Sequence, residues 1–306
     1  MKKLEVIILS ITILSMLVTR TSSNERNVEF YDNISIAIHP CINDECLNFF
    51  IQIFRDNSSK CAFYSINHPL AISMLKNKSL IVDESNYWGM GIPRKSDGLM
   101  HHKYCYNSTS IVLGSYNPTI PNRDTLNIVV NLNSSRISSI FEKNFQGMLQ
   151  NLKINPYYIV HDNESSIEIC FTPSPTCRWL LLKTLGEAEQ EVYVQLYVLS
   201  DPLIIEELRT LAKKNISITG IIESSSANNK EAVLLARYTK IVLEDSPLLI
   251  HSKLFIIDNK TIVTGSYNPS INAFTKNDED LLIVHNTIIA KNLRREIETM
   301  LSLDES

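Results

Sequence analysis

The sequence lacks an excess of basic residues. Its 29 Lys and Arg residues are outnumbered by 33 Asp and Glu residues, so the formal net charge is −4. Domains that hold duplex nucleic acid tightly usually carry a broad basic surface. The charge balance therefore disfavours nucleic acid as a tightly held partner, although not as a substrate. With 44% hydrophobic residues, the 306-residue chain can build a globular core, as one large domain or two of ordinary size.

The N-terminus lacks an apolar run long enough for a relaxed membrane span, which needs about 20 residues. Its apolar run covers 13 residues from Val6 to Val18 and follows the basic stretch Met1-Lys2-Lys3. Residues 1–23 therefore read as an export segment. Because Thr21-Ser22-Ser23 matches a cleavage site poorly, both a signal peptide and a retained membrane anchor stay open. We expect a secreted or membrane-anchored, extracytoplasmic protein, with membrane association through this segment if it is retained.

The 6 cysteines lack the spacing and histidine partners of finger-type zinc sites, so we predict no metal site from them. Cys41 and Cys46 are close neighbours, and so are Cys170 and Cys177. In an oxidising compartment each couple can close a local disulfide, which leaves two cysteines over. The alternative is six reduced, buried thiols in a cytosolic protein. The two cysteines left over are Cys61 and Cys105.

Glycine is scarce, with only 8 residues in the chain, yet two of them belong to one repeated pentapeptide. GSYNP occurs at Gly114–Pro118 and again, 151 residues later, at Gly265–Pro269. Upstream of each copy lies a His-x-Lys sequence, at His101 and at His251, followed by two β-like segments. An acidic residue and an apolar run follow each copy. This matching order indicates a tandem duplication of one unit.

Within each unit, β-branched runs alternate with helical patterns, which is typical of an α/β layer. We predict two pseudo-symmetric units, each a mixed sheet covered by helices, packed into one bilobal body, with the first unit at 27–153 and the second at 154–306. In the first unit, the segment 83–100 replaces a helix with a loop that leads into the histidine strand. In the second unit, strands are expected near 166–171, 191–197, 216–222, 253–257, 261–265 and 281–285, and helices near 178–188, 202–214, 229–238 and 288–302.

The second copy fits a longer pattern, His251-x-Lys253-x4-Asp258-x6-Gly265-Ser266-x-Asn268. This pattern resembles the HKD signature of the phospholipase D superfamily, and the family's glutamate, eleven residues after the motif asparagine, is present as Glu279. The resemblance covers nearly the whole chain after residue 27, because both halves carry the unit.

The residue types themselves fit phosphate chemistry. On a strand, residues i and i+2 share a face, so each histidine projects together with the lysine two positions on. A hairpin returns the chain so that the serine and asparagine of GSYN share one face as well. One half thus offers an imidazole, an ammonium, a hydroxyl and a carboxamide to one phosphate group. The predicted phosphate-binding residues are Ser115, Asn117, Ser266 and Asn268.

The resemblance implies a phosphoric diester hydrolase that needs no metal and no cofactor, with both histidines facing one phosphate in a monomer. His101 is assigned as the nucleophile that forms a phosphohistidine, and His251 as the acid that protonates the leaving alcohol. Asp124 and Glu279 are expected to orient the histidine rings by accepting their other N–H groups. The full predicted catalytic set is His101, Lys103, His251, Lys253 and Asp258.

The first motif departs from the pattern because Asn107 or Ser108 stands where the family has aspartate. The family's aspartate tends to be structural, so we expect activity to survive with Asn107 keeping part of its hydrogen bonding. Three functions stay open: a phospholipid hydrolase, a nuclease, and a half-degenerate protein that only binds phosphate. A nuclease predicts a basic rim around the histidines. A lipid hydrolase predicts an exposed apolar lip, for which Tyr87, Trp88, Met90 and Ile92 are the candidates.

Overall fold

The computed structural model describes residues 28–122, 124–152, 154, 156–224, 230–244 and 247–304. The predicted export segment at 1–23 lies outside these residues. Within the described ranges, no helix combines the length and the apolar character that crossing a membrane requires.

The first half forms most of an eight-stranded mixed sheet. Its strands are β1 (Val28–Tyr31), β2 (Ser35–Ile42), β3 (Lys60–Phe63), β4 (Ser79–Asp83), β5 (Ile92–Arg94), β6 (Lys103–Tyr106), β7 (Ser110–Gly114) and β8 (Thr125–Asn133). Its helices are α1 (Asp44–Arg55), α2 (Pro69–Leu75) and α3 (Ser135–Gln150). Helix α3 begins where the Ser134 hydroxyl caps the backbone N–H of Ile137.

The second half repeats this order around a nine-stranded sheet. Its strands are β9 (Tyr157–His161), β10 (Ser166–Thr172), β11 (Glu191–Leu196), β12 (Ser217–Glu223), β13 (Lys240–Glu244), β14 (Leu249–Ile250), β15 (Lys253–Ile257), β16 (Thr261–Gly265) and β17 (Glu279–His285). Its helices are α4 (Pro175–Gly186), α5 (Pro202–Lys213), α6 (Lys230–Ala236), α7 (Ile271–Thr275) and α8 (Thr287–Asp304). Proline occupies the first turn of α4 and α5, where its missing N–H costs nothing.

The two sheets share one apolar cluster, which holds the halves together. Side chains from both sheets, such as Tyr104 and Leu254, pack with Phe141 of α3 and Leu293 of α8. Helices α1 and α2 cover the other face of the first sheet. Helices α4, α5 and α6 cover the other face of the second sheet. The predicted α/β class, with two mixed sheets covered by helices, is therefore confirmed.

Short strands are exchanged between the halves. Strand β1 pairs with β9 and so joins the nine-stranded sheet, whose order is β1-β9-β10-β17-β16-β15-β11-β12-β13. Strand β14 pairs with β8 and joins the other sheet, whose order is β14-β8-β7-β6-β3-β4-β5, with β2 also on β8. Strand β14 ends at Ile250, so this exchange anchors the residue before His251 to the first half.

All six cysteines form disulfides. Cys41 bonds to Cys46 and Cys170 bonds to Cys177, as the spacing favoured. The two cysteines left over by the sequence also pair with each other, because Cys61 of β3 lies directly opposite Cys105 of β6 in the sheet. The last bond ties the strand that follows the first histidine to its neighbour.

Candidate active site

The two motif histidines immediately precede β6 and β15, and each is anchored by the opposite half of the chain. The backbone N–H of His101 donates to the carbonyl of Asp278 at 2.8 Å. The backbone N–H of His251 donates to the carbonyl of Leu126 at 2.9 Å. Because each histidine hydrogen-bonds the other half, the packing of the halves determines where both side chains lie.

The ring of each histidine also has a partner from the opposite half. Nδ1 of His101 lies 2.8 Å from Oε2 of Glu279, and Nδ1 of His251 lies 2.9 Å from Oδ1 of Asn127. A carboxylate and an amide oxygen are acceptors, so Nδ1 carries the hydrogen in both rings. Nε2 of each ring is therefore the nitrogen available for chemistry, as a lone pair in a neutral ring or as a proton donor in a protonated one.

The predicted role of Asp124 is wrong, because Asn127 takes the position beside His251. Asp124 instead accepts a hydrogen bond from Nδ2 of Asn43. The reason is the register of the sheet: Gly114 pairs with Val129, whereas Gly265 pairs with Leu281. Counting back from those pairs, Asn127 is the structural counterpart of Glu279.

The glycine of the repeated pentapeptide is required by the same pairing. Gly114 and Gly265 both have positive φ, at 148° and 129°. A Cβ atom on Gly114 would lie 2.1 Å from the carbonyl oxygen of Ile128, and one on Gly265 would lie 2.4 Å from that of Asp280. Only glycine allows this close approach of backbones. The scarce residue is therefore used where the hairpin passes the next strand.

The motif lysines are buried beside the histidines. Nζ of Lys103 donates to the carbonyl of His101 at 2.6 Å, and Nζ of Lys253 donates to that of His251 at 2.5 Å. The two contacts are the same in both halves, which reflects the duplication. Each ammonium group is thus held within its own His-x-Lys segment.

The motif serines position the neighbouring strand, which corrects their predicted contact with phosphate. The Ser115 hydroxyl donates to Oδ1 of Asn127 at 2.8 Å and accepts from the N–H of Ile128. The Ser266 hydroxyl likewise donates to Asp280 and accepts from its N–H. Both hydroxyls are already used as donor and acceptor, so the serines hold the strands that carry the histidine partners.

The motif asparagines remain available to a substrate. Oδ1 of Asn117 accepts from the N–H of Ser65 at 3.4 Å, which leaves its NH₂ group. Oδ1 of Asn268 is buried and has no hydrogen-bond partner among the described residues. A buried amide atom without a partner is costly, which is typical of a group that meets a ligand.

Asp258 is not part of the site, contrary to its place in the predicted catalytic set. Its carboxylate accepts backbone N–H groups at 2.8–2.9 Å from residues 189–191 and so braces the β15–β16 hairpin. Although partial burial acts to raise it, those amides hold the pKa of Asp258 below its usual value. In the first half, Asn107 donates to Asp56 at 2.7 Å and accepts from the N–H of Ser110. The missing aspartate therefore removes no group from the site.

Two tyrosines that the sequence analysis did not single out stand beside the histidines. The rings of Tyr64 and His101 are 5.0 Å apart, as are those of Tyr197 and His251. Each tyrosine also lies under the neighbouring ammonium, with Nζ of Lys103 5.3 Å from the Tyr64 ring. Each tyrosine directly follows the corresponding strand of its unit, β3 or β11, and this repeated position could have identified both from the sequence.

A further histidine, His102, supports the site from behind. Nδ1 of His102 lies 2.8 Å from Oδ2 of Asp280, the carboxylate that also accepts from Ser266. Its side chain is completely buried. His102 is thus a supporting residue, held behind the site by Asp280.

Burial shapes the titration of the whole cluster. It lowers the pKa of both motif imidazoles well below the usual value, and the two lysines lower them further. Burial also lowers the pKa of Lys103 to about 7, and raises that of Glu279 to about 8. The charge of His101 is among the causes that lower the pKa of His251, so the rings lie within electrostatic reach of each other. A cluster that holds so many cationic groups together is suited to an anion.

An open cleft of about 520 Å³ adjoins His251. Asn117 and Asn127 of the site also line it. His101 lies on a closed side and is only 7% exposed. No cluster of three or more His, Cys, Asp or Glu side chains suited to a metal ion occurs in the described part of the chain.

Comparisons with known proteins show what the chain resembles. Residues 181–301 match the family described as "Cardiolipin synthase, PLD-like domain". The chain is 29% identical over 147 residues to a protein named "Phospholipase D" from Rickettsia prowazekii (strain Madrid E), covering 47% of this chain and 72% of that protein. It is 24% identical over 124 residues to "Mitochondrial cardiolipin hydrolase" from Xenopus laevis, covering 40% of this chain and 59% of that protein.

Among solved structures, phosphatidylserine synthase from Haemophilus influenzae Rd KW20 shares the fold. The TM-score is 0.65 at 10% identity, over 87% of this chain and 85% of that one. The match at residues 181–301 and the relatives named phospholipase D support a place for this chain in the phospholipase D superfamily of phosphodiesterases.

Proposed function

We propose that this protein hydrolyses a phospholipid phosphodiester through a phosphohistidine intermediate, without a metal ion. One observation carries the proposal: two imidazoles from opposite halves, each fixed through Nδ1, lie in one cluster with two buried lysines. In-line displacement at phosphorus needs a nucleophile and an acid on opposite sides of the phosphate.

In the first step, Nε2 of His101 attacks phosphorus. The carboxylate of Glu279 accepts a hydrogen bond from the Nδ1–H group of His101 and so stabilises the positive charge that develops on the ring. A P–N bond forms as the P–O bond to the leaving alcohol breaks. His251, which the bound anionic phosphodiester keeps protonated, gives its Nε2 proton to that oxygen. Lys103 and Lys253 stabilise the charge on the nonbridging oxygens.

In the second step, His251 is neutral and accepts a proton from water. The water oxygen bonds to phosphorus while the P–N bond breaks, which returns His101 to its starting state. The products are a phosphate monoester and a free alcohol. His251 ends protonated, as it began, so the cycle balances.

The surface beside the site favours a lipid substrate. Tyr87 and Trp88 expose 41% and 52% of their surface on the segment that leads toward His101, and Ile92, at the start of β5, exposes 49%. Trp88 is held there by a hydrogen bond from Nε1 to the carbonyl of Ile66 at 2.9 Å. The nearby Arg94 does not form a basic rim, because it is paired with Asp278 at 3.0 Å. An apolar lip of this kind suits a bilayer surface.

The proposal is tested by offering the purified protein, with EDTA present, phosphatidylcholine vesicles, cardiolipin vesicles and labelled single-stranded DNA and RNA. We expect lipid cleavage, and a loss of about 10³-fold or more in His101→Ala. His161→Ala, a histidine of β9 outside the site, is the matched control and should retain activity. Cleavage of nucleic acid alone would replace the lipid proposal with a nuclease. Full activity in His101→Ala would end the mechanism.

A further inference from the structure

The cleft beside His251 is lined with asparagine amides. Five asparagines line it together with His251, namely Asn43, Asn67, Asn117, Asn122 and Asn127. Asn67 and Asn122 are exposed on the outer part of the cleft, while Asn117 and Asn127 belong to the site itself. The cleft therefore continues directly from the catalytic histidine to the surface.

The corresponding side of His101 is closed. The N–H of Gly98 donates to the carbonyl of Lys276 at 3.0 Å, and the N–H of Leu99 donates to Oδ1 of Asn277 at 3.0 Å. A Cβ atom on Gly98 would lie 2.3 Å from Oδ1 of Asn277, so the two segments are in tight contact. The duplicated site is thus open on the His251 side and covered on the His101 side.

This asymmetry matches the direction of the reaction. The alcohol that leaves takes its proton from His251, so it must lie on the His251 side of phosphorus. That side is where the cleft begins. A cleft of about 520 Å³ is within the size range of small-ligand sites.

The lining of the cleft indicates what that alcohol is. No Lys, Arg, Asp or Glu side chain lines it within the described residues. The nearby carboxylate of Asp124 is already bonded to Asn43. Tyr116, which also lines the cleft, is 4% exposed and packs against Phe50, so it forms no aromatic cage for a cation. Amide groups both donate and accept hydrogen bonds, which suits hydroxyl groups.

We propose that this asparagine-lined cleft is the subsite for the leaving alcohol, and that it takes an uncharged polyhydroxyl headgroup of the glycerol or inositol kind. The inference rests on the proposed function, since it assigns the leaving-group side from the roles of the two histidines. A choline or ethanolamine headgroup finds no carboxylate among the described residues that line the cleft.

The test uses short-chain, water-soluble phospholipids, so that binding to a membrane surface does not contribute. We expect kcat/KM for dihexanoylphosphatidylglycerol or for the matching phosphatidylinositol to exceed that for dihexanoylphosphatidylcholine by about tenfold or more, since tenfold corresponds to about 1.4 kcal/mol. The two polyol substrates distinguish glycerol from inositol as the preferred group.

The decisive variant is Asn67→Asp combined with Asn122→Asp. Aspartate at 67 can still accept the hydrogen bond that the N–H of Ile120 donates to Asn67 at 2.6 Å. The double variant removes amide donors and adds negative charge. We therefore expect the ratio of kcat/KM for the polyol phospholipids to kcat/KM for the choline phospholipid to fall by about tenfold. Asn48→Asp with Gln52→Glu on α1 makes the same charge change outside this cleft and should leave the ratio unchanged.

Binding of sn-glycerol 3-phosphate and phosphocholine, measured by calorimetry in the same variants, separates the two proposals. Suppose that no lipid is cleaved, but the double variant still lowers the affinity for sn-glycerol 3-phosphate relative to that for phosphocholine. The subsite proposal is then supported and the proposed hydrolase activity is contradicted. If lipids are cleaved with no polyol preference, or if the variant and the control behave alike, the subsite proposal is overturned.

Discussion

Nδ1 of His101 lies 2.8 Å from Oε2 of Glu279, although 178 residues separate them in the chain. The second oxygen of Glu279 accepts from Nδ2 of Asn277 at 2.8 Å, so the carboxylate is held on both sides. At His251 the same position is occupied by the neutral Asn127. Each half therefore completes the histidine of the other, with a carboxyl group beside His101 and a neutral amide beside His251.

Glu279→Gln should lower kcat by about 10²-fold at pH 8 and above, where the carboxylate is ionised, because the side chain keeps an acceptor but loses the charge that stabilises a positive ring. The KM should change little, since Glu279 does not contact the substrate in the proposed mechanism. Steady-state kinetics of the variant test this. An unchanged kcat would show that the carboxylate has only a structural role.

Anion binding should weaken as the pH rises. Burial lowers the pKa of Lys103 to about 7, so its ammonium is present below that pH and is lost above it. Glu279, whose pKa burial raises to about 8, gains negative charge over the same range. Sulfate keeps its charge throughout, and we expect its affinity to fall about tenfold or more between pH 6 and pH 9.

Proton uptake on sulfate binding, measured by calorimetry at pH 8 in buffers of different ionisation enthalpy, checks the same account. Lys103→Met should bind sulfate more weakly and with a flatter pH dependence. Affinity that rises with pH would contradict the assignment.

Restoring the family's aspartate in the first motif should lower the stability of the protein. Asn107→Asp places a carboxylate where Nδ2 of Asn107 now donates to Asp56 at 2.7 Å. Two carboxylates at that distance repel each other, so we expect a lower melting temperature and no gain in activity. Adding Asp56→Asn should recover most of the stability. A more active single variant would show that the aspartate has a catalytic role.

The aromatic ring of Tyr64, rather than its hydroxyl group, should contribute to sulfate binding. Tyr64→Phe keeps the ring beside His101 and under Lys103, and should leave sulfate affinity nearly unchanged. Tyr64→Leu removes the ring contact with the ammonium, which is worth about 0.5–2 kcal/mol, so affinity should fall about twofold to thirtyfold. Equal losses in the two variants would assign the effect to the hydroxyl instead.

Local patterns were sufficient to predict much of the fold. The strand expected at 253–257 is Lys253–Ile257, and the one expected at 261–265 is Thr261–Gly265. The helix expected at 202–214 is Pro202–Lys213. These elements have clear apolar periodicity and marked ends. The motif histidines and lysines could also be predicted from the sequence, because their spacing is repeated in both halves.

What the sequence did not reveal depends on pairing between distant strands. Asp124 resembles Glu279 in its surroundings, but sheet register gives that place to Asn127. The exchange of β1 and β14 and the bond between Cys61 and Cys105 are likewise cross-strand relationships. Similarity of residue types along the chain does not determine which strands become neighbours.

The central claim is that His101 is the nucleophile and His251 the acid at one shared phosphate. Bis(4-nitrophenyl) phosphate tests it without knowledge of the natural substrate, because its phenolate leaves without a proton. In His251→Ala we expect a burst of one phenolate per protein and a nitrophenylphosphoryl adduct on the peptide that contains His101, found by mass spectrometry after an alkaline quench. An adduct on His251 in His101→Ala, or turnover without any histidine adduct, would contradict the account.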